Sequence, residues 1–161
     1  MPRRYARRVP PEPRPALPDL RGTRVLVTGA TSGVGLEIVR ALAASGADLV
    51  VPVRDRAKAA RVLGGLASGR LDIRDLDLTQ LDSVRALATS LRGERIDVLV
   101  LNAGVALLGD RARQVTADGF ELHFQTNFLA HAVLARALAS QVGRVVVQGS
   151  LASTFWGVNW G

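Results

Sequence analysis

Cysteine is absent from the 161-residue sequence, and histidine occurs only as His123 and His131. Thiolate zinc sites, cysteine nucleophiles and a disulfide-stapled secreted module are thereby excluded, and no metal site is expected. Tyrosine and lysine occur once each, as Tyr5 and Lys58. No run of ~18 apolar residues is present, so no membrane span is expected. The amino-terminal stretch has no apolar core of a secretory signal. Proline is nearly missing from the body, because six of the seven prolines lie in Met1–Pro18. Proline lacks an amide donor and fixes its own torsion, so that stretch cannot form a helix or sheet interior. Residues 1–20 are therefore expected to be a disordered tail and 21–161 the folded unit. No internal repeat is visible.

What is present is a long enough, apolar enough chain for one core, with 48% hydrophobic residues. Its net charge is +7, unevenly spread. Residues 1–24 hold seven arginines against Glu12 and Asp19, a balance of +5, and the rest balances 14 basic against 12 acidic side chains. Such a tail could attract nucleic acid or anionic lipid by charge alone. A solvated leader is the preferred reading, and no specific nucleic-acid partner is expected.

From Arg24 onward strand and helix patterns alternate. Arg24–Thr28 reads as a buried strand, Gly33–Ser45 as a helix, and Asp48–Val53 as a strand with Pro52 at its end or on an edge. Asp55–Ala67 reads as a helix weakened by Gly64–Gly65, and Arg70–Leu76 as a more polar strand. A helix is expected from Thr79 to about Arg92, with Asp82 as capping-box partner. Ile96–Asn102 reads as a strand apolar on both faces. A long helix lies within Thr116–Ser140, and Gly143–Gln148 is a fifth strand. Alternation without hairpin signals predicts an α/β fold with a parallel sheet covered on both faces.

The first strand joins the first helix through Thr28-Gly29-Ala30-Thr31-Ser32-Gly33-Val34-Gly35. Gly29 permits a tight turn, Gly33 lets backbone approach a pyrophosphate, and Gly35 permits close helix packing. The first helical amides, with Thr31, Ser32 and Val34 at the turn, then face the phosphates. This strand–glycine loop–helix context points to a dinucleotide. No Gly-Lys-Ser/Thr ending is present, which disfavours a nucleoside triphosphatase loop. A receiver-type domain is disfavoured too, since Thr28 and Val53 stand where it needs acids. At the end of the second strand, an acid would suit the ribose of NAD and an arginine the 2′-phosphate of NADP. Arg54 stands there, so NADP(H) is expected in preference to NAD.

With these motifs in order, the sequence resembles the short-chain dehydrogenase/reductase family, over nearly the whole chain beyond the tail. Asp77-Leu78 after the third strand looks like the pair that holds the adenine ring. Asn102-Ala103-Gly104 looks like the Asn-Ala-Gly signature, in which Asn102 stabilises the sheet and the small residues admit the cofactor. Leu101 stands where the family often has a further asparagine. Thr126-Asn127-Phe128-Leu129-Ala130-His131 is similar to a stretch of retinol-dehydrogenase-like and protochlorophyllide-reductase-like members. The resemblance implies a doubly wound Rossmann-type sheet of order 3-2-1-4-5. It assigns Asn127 a place in a proton relay and Ser150 the substrate oxygen. The implied reaction is hydride transfer between NADP(H) and a small carbonyl or alcohol substrate. His131 reads as packing on an apolar face.

The resemblance also implies a tyrosine general acid and a lysine four residues later, and neither Tyr5 nor Lys58 can be that pair. The chain ends 11 residues past Ser150. The expectation is a fragment truncated after the fifth strand, inactive by itself, whose fifth strand is an open apolar edge. The alternative is a non-catalytic dinucleotide-binding module, a sensor or degenerate subunit. A cytoplasmic location is expected, and a homo-oligomer is compatible with the full-length parent.

Overall fold

The computed structural model describes residues 17–66, 70–106 and 113–150. Most of the expected tail, with Tyr5, lies outside the described residues, as does the Phe155–Gly161 ending. In chain order the elements are β1 (Arg24–Val27), α1 (Gly33–Ala44), β2 (Asp48–Val53), α2 (Arg56–Leu63), β3 (Arg70–Asp75) and α3 (Leu81–Ser90). There follow β4 (Ile96–Leu101), α4 (Leu122–Phe124), a π-helical turn (Gln125–Leu129), α5 (Ala130–Leu138) and β5 (Val142–Val147). The five strands form one sheet in the order β3-β2-β1-β4-β5, and every pairing is parallel. The fold is the doubly wound Rossmann-type sheet that the sequence led us to expect.

Period-two alternation in strands that are apolar on both sides produces two separate cores. Leu26, Val50, Leu99 and Leu101 face α3 and α5, where they meet Val84, Leu87, Leu134 and Leu138. Their neighbours Val25, Val27, Leu49, Val51, Val53 and Val100 turn the other way, onto Val39, Ala43, Ala59 and Leu63 of α1 and α2. Leu20 packs against this second core, and its amide donates to Ser45 O at 2.8 Å.

Three local expectations need correction, and a fourth in part. Pro52 is the next-to-last residue of β2, as the end position allowed, but β2 is not an edge strand: it sits between β1 and β3, and Pro52 stands opposite Arg74. The β1 pairing stops at Leu26↔Val50, so Pro52 lies where β2 has already outrun β1 on that side. Asp82 does not close a capping box, since its carboxylate pairs with Arg85 at 2.8 Å on the surface. The first amide of α3, Leu81 N, is capped at 2.8 Å by Asp118, which is 37 residues away in sequence. α2 ends at Leu63, because Gly64 and Gly65 terminate the helix and do not merely weaken it. The long helix is interrupted in its middle by the π-turn, where the Ala130 amide reaches back five residues to Gln125 O.

Among the described residues β5 pairs only with β4, and Val145, Val146 and Val147 are exposed.

Candidate functional site

Parallel strands place all their carboxyl ends on one side of the sheet. β1 sits where the winding reverses, so the loops after β1 and β4 part and leave a crevice between them. An open cleft of about 200 Å³ occupies that place. Its walls come from five segments: Gly29–Thr31 after β1, Pro52–Arg54 ending β2, Leu76–Thr79 after β3, Ala103–Val105 after β4, and Thr126 of the π-turn.

The glycine loop is shaped by close backbone approach. Gly29 has φ +71°, and a Cβ there would lie 2.7 Å from Ala103 Cα. A Cβ on Gly35 would collide with Gly29 O and Asn102 Nδ2, so this residue makes room for the loop and the β4 asparagine. Gly33 has φ +54° and open space around it. Ser32 is the N-cap of α1, its side chain makes no capping bond, and no acidic residue stands in the first turn. The helix start is left with its amides and its positive end directed outward. Val34 is 61% exposed beside it, an apolar side chain facing outward.

Asn102 ties the two central strands together. Its Nδ2 donates to Thr28 O at 3.0 Å, and its backbone amide donates to Thr28 Oγ1 at 3.0 Å. The Ala103 amide donates to the same hydroxyl at 3.1 Å. Asp77 shapes its own turn, accepting from the Thr79 amide at 2.9 Å and the Thr79 hydroxyl at 2.7 Å. Leu78 is buried beside it. Gly104 would carry a Cβ at 3.5 Å from Asn127 Oδ1, an ordinary contact, so no clash demands glycine there.

Three consecutive charged residues after β2 do three different things. Asp55 caps α2 through the Lys58 amide at 2.8 Å. Arg56 forms a two-pronged pair with Asp75 at 2.6 and 2.9 Å, which holds the Asp75 carboxyl below its usual range. Only Arg54 lines the cleft, and among the described residues it has no ion-pair partner.

Asn127 lies in the π-turn and clamps the loop after β4. Its Oδ1 accepts from Val105 N at 2.8 Å and its Nδ2 donates to Val105 O at 3.0 Å. Those two bonds leave the side chain one N–H and one lone pair. Ser150 follows β5 on the same carboxyl side of the sheet, exposed, two residues beyond Gln148, whose amide donates to Leu101 O at 3.0 Å.

Two residues at the site stand in motifs read from the sequence but had no role assigned to them there. Thr126 is buried, and its Oγ1 has no hydrogen-bond partner among the described residues although the residue lines the cleft. Thr28 reads as a strand residue, yet its hydroxyl is where β1 and β4 meet. His131 is buried as expected, but it also carries polar contacts, with Nε2 3.0 Å from Thr28 Oγ1. Among the described residues no cluster suited to a metal ion occurs, and no helix is long and apolar enough to cross a membrane.

The glycine loop, the crevice at the reversal of winding and the small residues after β4 define a Rossmann-type domain with a cleft built for a dinucleotide. Comparison with known proteins gives the particular branch. The sequence profile described as short chain dehydrogenase matches residues 23–160, and the chain belongs to that family. It is 39% identical over 141 residues to a "Probable oxidoreductase" of Streptomyces antibioticus, covering 82% of this chain and 46% of that protein. It is also 39% identical over 144 residues to the chloroplastic protochlorophyllide reductase of Pisum sativum, covering 82% of this chain and 36% of that one. The chain thus spans less than half the length of these curated relatives. Among solved structures, a short-chain dehydrogenase from Sphingobium yanoikuyae in complex with NADPH is 34% identical, with a TM-score of 0.66 over 82% of this chain and 55% of that chain.

Proposed function

We propose that this chain is the cofactor-binding part of an NADP(H)-dependent oxidoreductase acting on a carbonyl/alcohol pair. The observation that carries the reading is Arg54. It alone of three neighbouring charges faces the cleft, while Asp55, the acid that could otherwise suit a ribose diol, is engaged as a helix cap. Solved relatives in complex with NADPH and NADP support the same choice. The site fits the group: Thr31 of the loop and Thr126, whose hydroxyl is orphaned, line the cleft, and the loop leads into an uncapped helix start and a glycine with open space above it.

In this reading Thr31, Ser32 and the amides of Gly33, Val34 and Gly35 hold the pyrophosphate. Arg54 holds the 2′-phosphate, and Asp77 and Leu78 flank the adenine. Asn102, Ala103 and Gly104 keep the floor of the cleft open. When bound, the nicotinamide supplies the hydride chemistry. Ser150 orients the substrate oxygen, and the free lone pair and N–H of Asn127 hold a proton-relay water. In this reading residues 21–161 belong to the cofactor-binding domain and residues 1–20 to a basic tail. Lys58, the one lysine of the sequence, lies in the first turn of α2, and in this reading the chain contributes the cofactor-binding part of the reaction.

Fluorescence titration of the purified chain with NADPH and NADH tests the reading. NADPH is expected to bind more tightly, and Arg54→Ala to weaken NADPH by about tenfold or more while leaving NADH unchanged, as loss of a charge-assisted contact requires. Equal loss for both dinucleotides would overturn the assignment of Arg54.

A further inference from the structure

Among the described residues, the buried His131 is the one titratable side chain in the interior that the functional reading leaves unused. Its ring bridges two parts of the site. Nε2 lies 3.0 Å from Thr28 Oγ1, and Nδ1 lies 3.3 Å from the carbonyl oxygen of Asn127, one turn earlier on the same helix. Proton counting fixes the direction of both bonds. The Thr28 hydroxyl already accepts from the amides of Asn102 at 3.0 Å and Ala103 at 3.1 Å. Two donors fill its two lone pairs, so the oxygen cannot accept from the imidazole as well. Its single proton must go outward. The competing acceptor, Val100 O, is farther at 3.4 Å and already takes the Thr28 amide at 3.0 Å. The hydroxyl therefore donates to His131 Nε2, and the ring proton sits on Nδ1 and donates to Asn127 O.

We propose that His131 is a positioning residue, an Nδ1-protonated clamp that joins the Asn127 turn to the Thr28 hydroxyl and so fixes the loops after β1 and β4 against each other. Through Thr28 it orients the amides of Asn102 and of Ala103, the latter a residue of the cleft wall. Through Asn127 O it holds the turn whose side chain secures Val105. Burial pushes the ring's pKa below the ordinary histidine value, in keeping with a neutral imidazole. The role rests on the proposed dinucleotide site, but the clamp itself does not need a ligand to be observed.

The test begins with the 15N spectrum of the imidazoles in the unliganded 161-residue chain at neutral pH. His131 is expected to show a protonated Nδ1 and a bare Nε2. A protonated Nε2, or rapid averaging of the two forms, overturns the clamp. Two variants then separate the bond from mere packing. His131→Leu fills the space without an acceptor, and amide exchange at Asn102 and Ala103 is expected to rise by about tenfold, with NADPH binding weakened about fivefold, the worth of one neutral hydrogen bond. His131→Gln returns an acceptor near the Nε2 position and is expected to restore both to within about threefold. Exchange in His131→Leu equal to that of the parent overturns the proposal, as does equal loss in both variants. If the parent binds no NADPH, the functional reading fails, while the tautomer and the exchange rates still decide the clamp.

Discussion

At the scale of the residue, Gly35 and Gly33 are both glycines for different reasons. A methyl group on Gly35 would meet a backbone carbonyl and the Asn102 amide, neither of which can move without opening the loop. Gly35→Ala is expected to cost about 1–3 kcal/mol of stability, measured by urea unfolding. Gly33→Ala meets nothing, but its φ of +54° is left-handed, so strain of about 1 kcal/mol is expected there. Thr126 makes the opposite prediction. Its hydroxyl is buried without a partner among the described residues, so Thr126→Val should leave the unliganded chain as stable as before or up to ~1 kcal/mol more stable. The same change should weaken NADPH binding. A clear loss of unliganded stability would show that the hydroxyl has a partner after all.

At the scale of the element, the start of α3 illustrates how far a cap can come from. Gln80, the N-cap residue, makes no side-chain capping bond, and Asp118 supplies the carboxylate instead. Asp118 Oδ2 also accepts from Gln125 Nε2 at 2.6 Å, so one oxygen joins α3 to the π-turn. Asp118→Ala is expected to cost about 1–2 kcal/mol, at the upper end for a cap because a second bond is lost. Asp82→Ala, on the exposed surface, should change stability by no more than about 0.5 kcal/mol. Chemical unfolding of the pair decides between the local and the distant cap. The capping pattern Thr-x-x-Asp was readable in sequence and misleading, because a carboxylate's reach across the fold is not encoded in spacing.

At the scale of the molecule, acid should weaken the fold in two stages. Burial lowers the pKa of His131 in the folded state from its ordinary 6.5. The unfolded chain then binds the proton more readily, so stability is full above pH ~6.5 and declines as pH falls below it. Asp72 lies in a network with Arg74, Arg24 and Glu94 that joins β1, β3 and the turn before β4. The hydrogen bond from Arg74 holds its carboxyl below 3.8, so its contribution is present above about pH 4 and is lost as pH falls below that. Urea midpoints at pH 7.5, 5.5 and 3.5 should fall in both intervals, and in His131→Gln the first decline should vanish. The strand β5 is the second feature at this scale. Val147 is 71% exposed on a strand edge that has no partner among the described residues, which favours edge-to-edge association. Val147→Lys is expected to lower concentration-dependent light scattering without lowering the unfolding temperature.

Element types, their order and the dinucleotide loop were legible in the sequence, because each depends on short-range regularities. Hydrophobic period two or 3.6 identifies strand or helix, and glycine spacing identifies a tight strand-to-helix turn. Arg54 was legible too, as the residue that follows an apolar strand. The three-residue charge run 54–56 was not resolved by sequence, since which charge faces the cleft depends on Asp75 of β3 and on the first turn of α2. The π-turn, the burial of Thr126 and the contact between Thr28 and His131, 103 residues apart, were decided only by tertiary structure. These are matters of which polar atoms meet when the sheet closes, and hydrogen-bond valence is satisfied across the fold, not along the chain.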